Sequence, residues 1–186
     1  SDLNIVIEEP VPSLFSFNLP QHPIQQLMGV AVPFVQIKIQ GSKLQSEGAL
    51  MITHWGLSGP AVLRLSAWAA RDLAKRNWHF DIQVNWLGEQ FNEATLRQEF
   101  TNIRNTQGNK PLFHKNPFGL PTRLWEYLLQ EIEMPKEQKW ATLTSKFQNK
   151  LIQQLCQYSF TVKGKTTYKE EFVTAGGVSL QALQAN

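Results

Sequence analysis

The sequence predicts an α+β fold in which a helical lobe interrupts a strand-rich part, and three observations carry that prediction. Trp78, Phe80, Ile82, Val84 and Trp86 fall on one face at period two. After Gly88 the apolar spacing becomes helical, beginning with Asn92 ahead of Glu93-Ala94-Thr95-Leu96. Alternation then returns at Ser159–Val162. The expected division is a β-rich part over about residues 1–87 and 158–178, and a helical lobe over about 88–157.

The first strands follow from their punctuation. Pro10 and Pro12 mark the start, and Ser13-Leu14-Phe15-Ser16-Phe17 alternates. Val30–Gln40 reads as a strand with Val35, Ile37 and Ile39 on one face and Gln36, Lys38 and Gln40 on the other. Pro33 inside it demands an edge or a bulge, because proline cannot donate to a ladder. Gly41-Ser42-Lys43 turns into a second strand ending in Ala49–Thr53. Pro60 suits the first turn of a helix with Ser58 as its cap, and Val62, Leu63, Leu65, Ala69, Ala70 and Leu73 continue that helix.

In the lobe, a first helix should run from Asn92 to about Asn105. A Gly-, Asn- and Pro-rich loop over Gln107–Pro121 follows, packed by Leu112, Phe113 and Phe118. Leu120-Pro121-Thr122 opens a second helix through Leu124, Trp125, Leu128, Leu129 and Ile132, which Met134-Pro135 stops. Leu143–Tyr158 is a third, carried by Phe147, Leu151, Ile152 and Leu155. Ser159–Val162, a hairpin turn at Lys163-Gly164-Lys165 and a strand over Glu171–Thr174 complete the pattern.

Composition excludes several classes. Hydrophobic residues make up 42% of 186, with six Trp and eleven Phe, enough for a packed core and too many for a disordered chain. No apolar run reaches the roughly 18 residues needed to span a bilayer, so no membrane partner is expected. The single cysteine, Cys156, rules out a disulfide framework and points to a reducing cytoplasm. Ser1-Asp2-Leu3-Asn4 lacks the basic start of a secretory leader. The net charge of +3 comes from scattered, interleaved residues. The densest basic cluster, Arg71–Arg76, sits where cations complement a helix C-terminus, so no nucleic-acid partner is expected either.

Familiar catalytic motifs fail one by one. Lys163-Gly164-Lys165-Thr166 lacks the earlier glycine of a phosphate-binding loop, where Ser159 stands instead. No G-x-G-x-x-G is present. His22, His54, His79 and His114 are isolated from one another, so no metal site is expected. Gly56-Leu57-Ser58-Gly59 has the wrong spacing for a nucleophile elbow. Cys156 falls on the apolar side of its helix and reads as a small core residue.

Two glycine-bearing stretches remain. Thr53-His54-Trp55-Gly56-Leu57-Ser58-Gly59-Pro60 reads as a strand end turning tightly into a helix start, where free N–H groups could meet an anion or a ring edge. Glu171-Phe172-Val173-Thr174-Ala175-Gly176-Gly177-Val178 ends a strand in adjacent glycines that permit positive φ or close backbone approach. A plain turn explains either stretch taken alone.

Together they resemble a family. Gly48–Leu63, with Pro10–Phe15, Leu120–Trp125 and Lys169–Val178 in the same order, resembles the bacterial NAD(P)/FAD-dependent oxidoreductase flavoproteins called aminoacetone-oxidase-like, which are related to a bile-acid enone reductase. The resemblance covers nearly the whole chain. It implies a barrel-like β part with a helical bundle, acting as an insert that caps FAD and shapes a substrate pocket. The FAD-binding domain would be another part of the same polypeptide, reached through residues 179–186, and no FAD or NAD(P) would bind this segment alone. The resemblance further implies that Thr53, Gly56, Ser58, Gly59, Thr174, Gly176 and Gly177 lie near the flavin and a small-molecule substrate, the two stretches being close together. His54, the only imidazole in either, becomes the candidate for orienting substrate or relaying a proton. A non-catalytic protein-interaction module is the competing function.

Overall fold

The computed structural model describes residues 6–114, 116–166 and 173–179. The fold is α+β, a curled antiparallel sheet with helices packed on and between its strands. Along the chain run β1 (Ile7–Ser13), β2 (Ser16–Asn18), β3 (Ala31–Ile39), β4 (Gln45–Ile52), β5 (Gly56–Ser58), α1 (Pro60–Trp68), α2 (Ala70–Lys75) and β6 (His79–Asn85). Then come α3 (Glu93–Gln107), α4 (Thr122–Glu131), α5 (Ser145–Cys156), β7 (Tyr158–Lys163), β8 (Lys165–Thr166) and β9 (Val173–Val178).

Seven strands form one sheet in the order β7-β6-β3-β4-β5-β2-β8, while β1 and β9 form a separate two-stranded ribbon. The two edge strands of the large sheet, β7 and β8, are consecutive in the chain and separated only by Gly164. Gly164, at φ +86°, donates its N–H to the Trp78 carbonyl at 2.8 Å and accepts from the Asn18 N–H at 3.4 Å. One bent strand therefore ladders with β6 on one side of the bend and with β2 on the other. The sheet thus curls toward itself through this shared strand, a barrel-like arrangement that leaves less edge unpaired. The hairpin expected at Lys163-Gly164-Lys165 is thus corrected. The chain bends at Gly164 without folding back, because β2, not β7, is the partner of β8.

Period-two patterning fills the barrel. Val35, Ile37 and Ile39 of β3, Leu50 and Ile52 of β4, Ile82 and Val84 of β6, and Phe160 and Val162 of β7 are all buried. Pro33 falls in a bulge: pairing steps from Val32↔Leu50 to Val35↔Gly48, so β3 carries one more residue than β4. The bulge turns Phe34 over Gly88, where an added Cβ would meet the ring at 2.5 Å. Pro10 and Pro12 lie within β1, on the ribbon. The predicted Val62–Leu73 helix is two, broken at Ala69. At the end of α2 Arg76 pairs with Asp72 at 2.8 Å, while Arg71, in the first turn of α2, reaches Glu8 of β1 at 3.5 Å.

The helices α3, α4 and α5 sit between β6 and β7, adjacent strands of the barrel. Asn92 caps α3 in a reciprocal box with Thr95, and Thr144 caps α5. Leu96, Phe100 and Ile103 meet Trp125, Trp140 and Leu155 in a shared core. The Trp125 indole N–H donates to the Leu112 carbonyl at 2.8 Å, pinning the long loop before α4. The Trp86 N–H donates to the Leu155 carbonyl at 2.8 Å, joining lobe to barrel. Among the described residues no helix is long and apolar enough to cross a membrane.

Candidate functional site

The stretch Thr53–Pro60 is a hairpin followed by a helix start. Ile52 pairs with Leu57, the Thr53 N–H donates to the Gly56 carbonyl at 2.8 Å, and His54 and Trp55 form the two-residue tip between that pair. Thr53 is buried; its hydroxyl accepts from the Gly56 N–H at 3.2 Å and donates to the Gly56 carbonyl at 3.1 Å. Gly56 lies against β2, where an added Cβ would meet the Phe17 carbonyl oxygen at 2.1 Å. Gly59 lies against β4, with the Ala49 carbonyl oxygen 2.9 Å from the same imagined atom. The groups expected to face a ligand are thus committed to the barrel's own backbone. His54 differs: it is exposed at the tip, edge-on to Trp55 at 4.1 Å between ring centroids.

Ser58 does not cap the helix. It ends β5, and its hydroxyl accepts from that of Ser16 at 2.8 Å. Gly59 occupies the cap position at φ +99° without a side-chain bond. The three-residue β5 consumes Ser58 in pairing with Met51 before the helix begins.

Thr174–Val178 is likewise a strand rather than a turn. It forms β9, antiparallel to β1 from Ser13↔Val173 to Ile7↔Val178. Gly176, at φ +135°, lets β1 approach at its own bulge between Glu8 and Val11, since a Cβ there would meet the Glu9 carbonyl oxygen at 2.7 Å. Gly177 faces open space and Thr174 is exposed. The link between the two stretches runs through β1 and β2: Ser13 pairs with Val173, the Phe15 N–H donates to the Ser66 hydroxyl of α1 at 2.9 Å, and Ser16 holds Ser58. Glu171, Phe172 and residues 180–186 of the expected strand and tail lie outside the described residues.

A second polar cluster, with no motif to announce it, joins lobe to barrel. The Tyr127 and Tyr158 hydroxyls donate to the two carboxylate oxygens of Glu131 at 2.6 and 2.7 Å, and lie 3.4 Å from each other. Burial pushes both phenols well above their ordinary value, and the hydrogen bonds to Glu131 add to the shift. The His22 ring stands beside Tyr158 and Phe160, and its Nδ1 accepts from the Ile24 N–H at 3.1 Å. Burial lowers the His22 pKa, opposed in part by the charge of Glu131. The i, i+4 spacing of Tyr127 and Glu131 on α4 was the one signal available in the sequence. Beside the cluster a depression of about 370 Å³ is lined by Glu131, Gln153, Gln154, Gln157, Tyr158 and Ser159.

A curled, barrel-like antiparallel sheet with a helical lobe set between two neighbouring strands defines the class of domain. The chain belongs to the HI0933-like protein barrel and H2TH domain family, whose model matches residues 11–173. This is a family of FAD-dependent oxidoreductase-related proteins. The chain is also similar to the ribosomal RNA dihydrouridine synthase of Escherichia coli (strain K12), 31% identical over 163 residues that make up 87% of this chain and 37% of that protein. It therefore spans little more than a third of that relative's length.

The described residues do not themselves fit FAD. A dinucleotide site needs a glycine-rich turn whose N–H groups are open to a pyrophosphate. Here Gly56, Gly59 and Gly176 are closed off by neighbouring backbone.

Proposed function

We propose that this chain is the substrate- and flavin-facing insert of a FAD-dependent oxidoreductase, with the flavin held by another domain of the same polypeptide, and that its substrate is a uridine of ribosomal RNA. The observation that carries the reading is the β1–β9 ribbon. It brings the chain into and out of the barrel side by side, with the Ser179 N–H donating to the Val6 carbonyl at 2.9 Å. That is the geometry of a domain inserted in a larger one, and it accords with the 37% share of the relative. Converting uridine to dihydrouridine adds a hydride and a proton across one carbon–carbon double bond, and a nicotinamide is the hydride source in this reading. His54, exposed on its hairpin, is the residue to orient the base or relay the proton. Thr174 and Gly177 on the open ribbon are the groups of this chain to meet the flavin domain.

The relative's name supports RNA over the small organic substrate implied by aminoacetone-oxidase-like proteins, and the proposal departs here from the expectation that no nucleic acid is involved. The test uses a polypeptide that joins this chain to its flavin domain, given NADH or NADPH and unmodified ribosomal RNA. Nucleoside mass spectrometry should show uridine gaining two hydrogens. Turnover of small amines or enones with no change in RNA would move the substrate class. No flavin reduction by any donor would favour the interaction module. The 186-residue chain alone should leave FAD fluorescence unchanged on titration.

A further inference from the structure

Helix α5 carries two lysines, five amide or hydroxyl residues and no acid, in the run Ser145-Lys146-Phe147-Gln148-Asn149-Lys150-Leu151-Ile152-Gln153-Gln154-Leu155-Cys156. Its buried side is Leu151, Ile152, Leu155 and Cys156. At about 100° per residue, Lys146, Asn149, Lys150, Gln153 and Gln157 fall in one straight stripe on the opposite side. Lys146, Asn149, Gln153 and Gln157 are exposed and Lys150 half-buried. The Lys150 ammonium rests over the Phe147 ring, 5.9 Å from its centroid. At the C-terminal end of the stripe lies the amide-lined depression with Glu131 at its side.

We propose that this stripe and the depression at its end form an RNA-binding surface, in which Lys146 and Lys150 meet phosphates and Gln153, Gln154, Gln157 and Glu131 take a base. The choice of RNA rests on the substrate reading above; the polarity of the surface is independent of it. Glu131 repels phosphate, so phosphates belong at the lysine end. A neutral base edge offers N–H donors that a carboxylate accepts well. Both oxygens of Glu131 already accept from tyrosines, which fixes the group while leaving each oxygen a further lone pair. Side-chain amides supply paired donors and acceptors suited to base edges. Glu93, beside the stripe, is paired with Arg97 at 2.8 Å, and Arg97 also donates to Asn149.

The stripe is absent from a linear count of charge. Its two lysines are four residues apart among neutral neighbours, and only the helical period lines them up.

The test is fluorescence anisotropy of a short labelled oligouridylate against the 186-residue chain over a salt series. Lys146→Ala with Lys150→Ala should weaken binding by about tenfold and lower the salt slope by about 1.4, two single-strand phosphate contacts. Gln153→Ala with Gln157→Ala should weaken binding by a similar factor with the slope unchanged. Lys43→Ala, on the β3–β4 turn, should change neither. The assignment is overturned if oligouridylate does not bind, if the stripe variants bind like wild type, or if polyglutamate binds equally through the same lysines. RNA binding through the stripe in a full polypeptide that reduces no uridine would refute the substrate reading and leave the surface standing.

Discussion

The β4–β5 hairpin and the β1–β9 ribbon are both glycine-rich, yet their glycines serve different ends. In the hairpin, Gly56 and Gly59 exist so that β2 and β4 backbones can come close, and the Thr53 and Ser58 hydroxyls are spent inside the barrel. On the ribbon, Gly176 admits a bulge, whereas Gly177 pairs with Glu8 but a Cβ added there would meet nothing within 4 Å. The ribbon also exposes Ile7, Val173 and Val178. A glycine signals only that a side chain would be unwelcome there. What occupies the space decides whether the reason is packing or a surface left for something else. In the hairpin it is packing, and the surface there is offered by His54 instead.

The largest expected effect separates these two kinds of glycine. Gly56→Ala places a Cβ against main chain at 2.1 Å, which no side-chain movement relieves. The chain should fail to fold or lose more than about 3 kcal/mol in urea denaturation. Gly177→Ala, in open space at φ +115°, should cost about 1 kcal/mol of backbone strain. Equal losses at the two positions would erase the distinction.

Next in size is His54→Ala in the full polypeptide. Turnover should fall by about 10²-fold or more with stability unchanged, because an exposed tip residue supports no core. Turnover within a factor of two of wild type would remove His54 from the chemistry.

Much of the barrel was legible because period two is a local signal. β6 and β3 announced themselves, as did the Asn92 cap of α3 and the bulge at Pro33. What was misread depended on partners distant in sequence. The glycines of β9 look like a turn until β1 lies beside them. β5 is three residues long, too short for any periodicity, so Ser58 passed for a helix cap. Gly164 resembles a hairpin until β2 takes the strand that follows it. The Glu131 cluster draws on α4, β7 and the segment before β3, and no local pattern links them. The candidate site was legible as glycine-rich segments, but which of their groups remain open was not.

The Glu131 cluster, which joins α4 to β7, adds a comparison with the hairpin through pH. Tyr127 and Tyr158 have raised folded-state values, so the folded state holds their protons longer than the unfolded state does. Their contribution is complete below the ordinary tyrosine value near pH 10 and is lost as pH rises beyond it. Cys156, pushed up to about 11 chiefly by burial, adds a loss in the same direction that starts above pH 9. His22 acts oppositely: its lowered value makes stability fall as pH drops below about 6.5. Tyr158→Phe should cost about 1.5 kcal/mol at pH 7, the hydrogen bond to a charged acceptor, and flatten the alkaline limb in denaturation curves. An alkaline limb as steep as wild type in that variant would place the titration elsewhere.

The smallest effect should come from Ser58→Ala, and it brings the comparison back to the hairpin. The variant removes one hydroxyl–hydroxyl bond to Ser16 and leaves the cap at Gly59 untouched. Because Ser16 then loses an acceptor in a mostly buried place, the cost should be about 1 kcal/mol. A double cycle with Ser16→Ala should show most of that cost as coupling between the two serines, since removing both partners leaves no orphaned group. Turnover of the full polypeptide should stay at the wild-type level, in contrast to His54→Ala four positions earlier on the same hairpin. A loss of activity in Ser58→Ala without a matching loss of stability would mean that this hydroxyl reaches beyond the barrel, and the division between committed and open groups would have to be redrawn at β5.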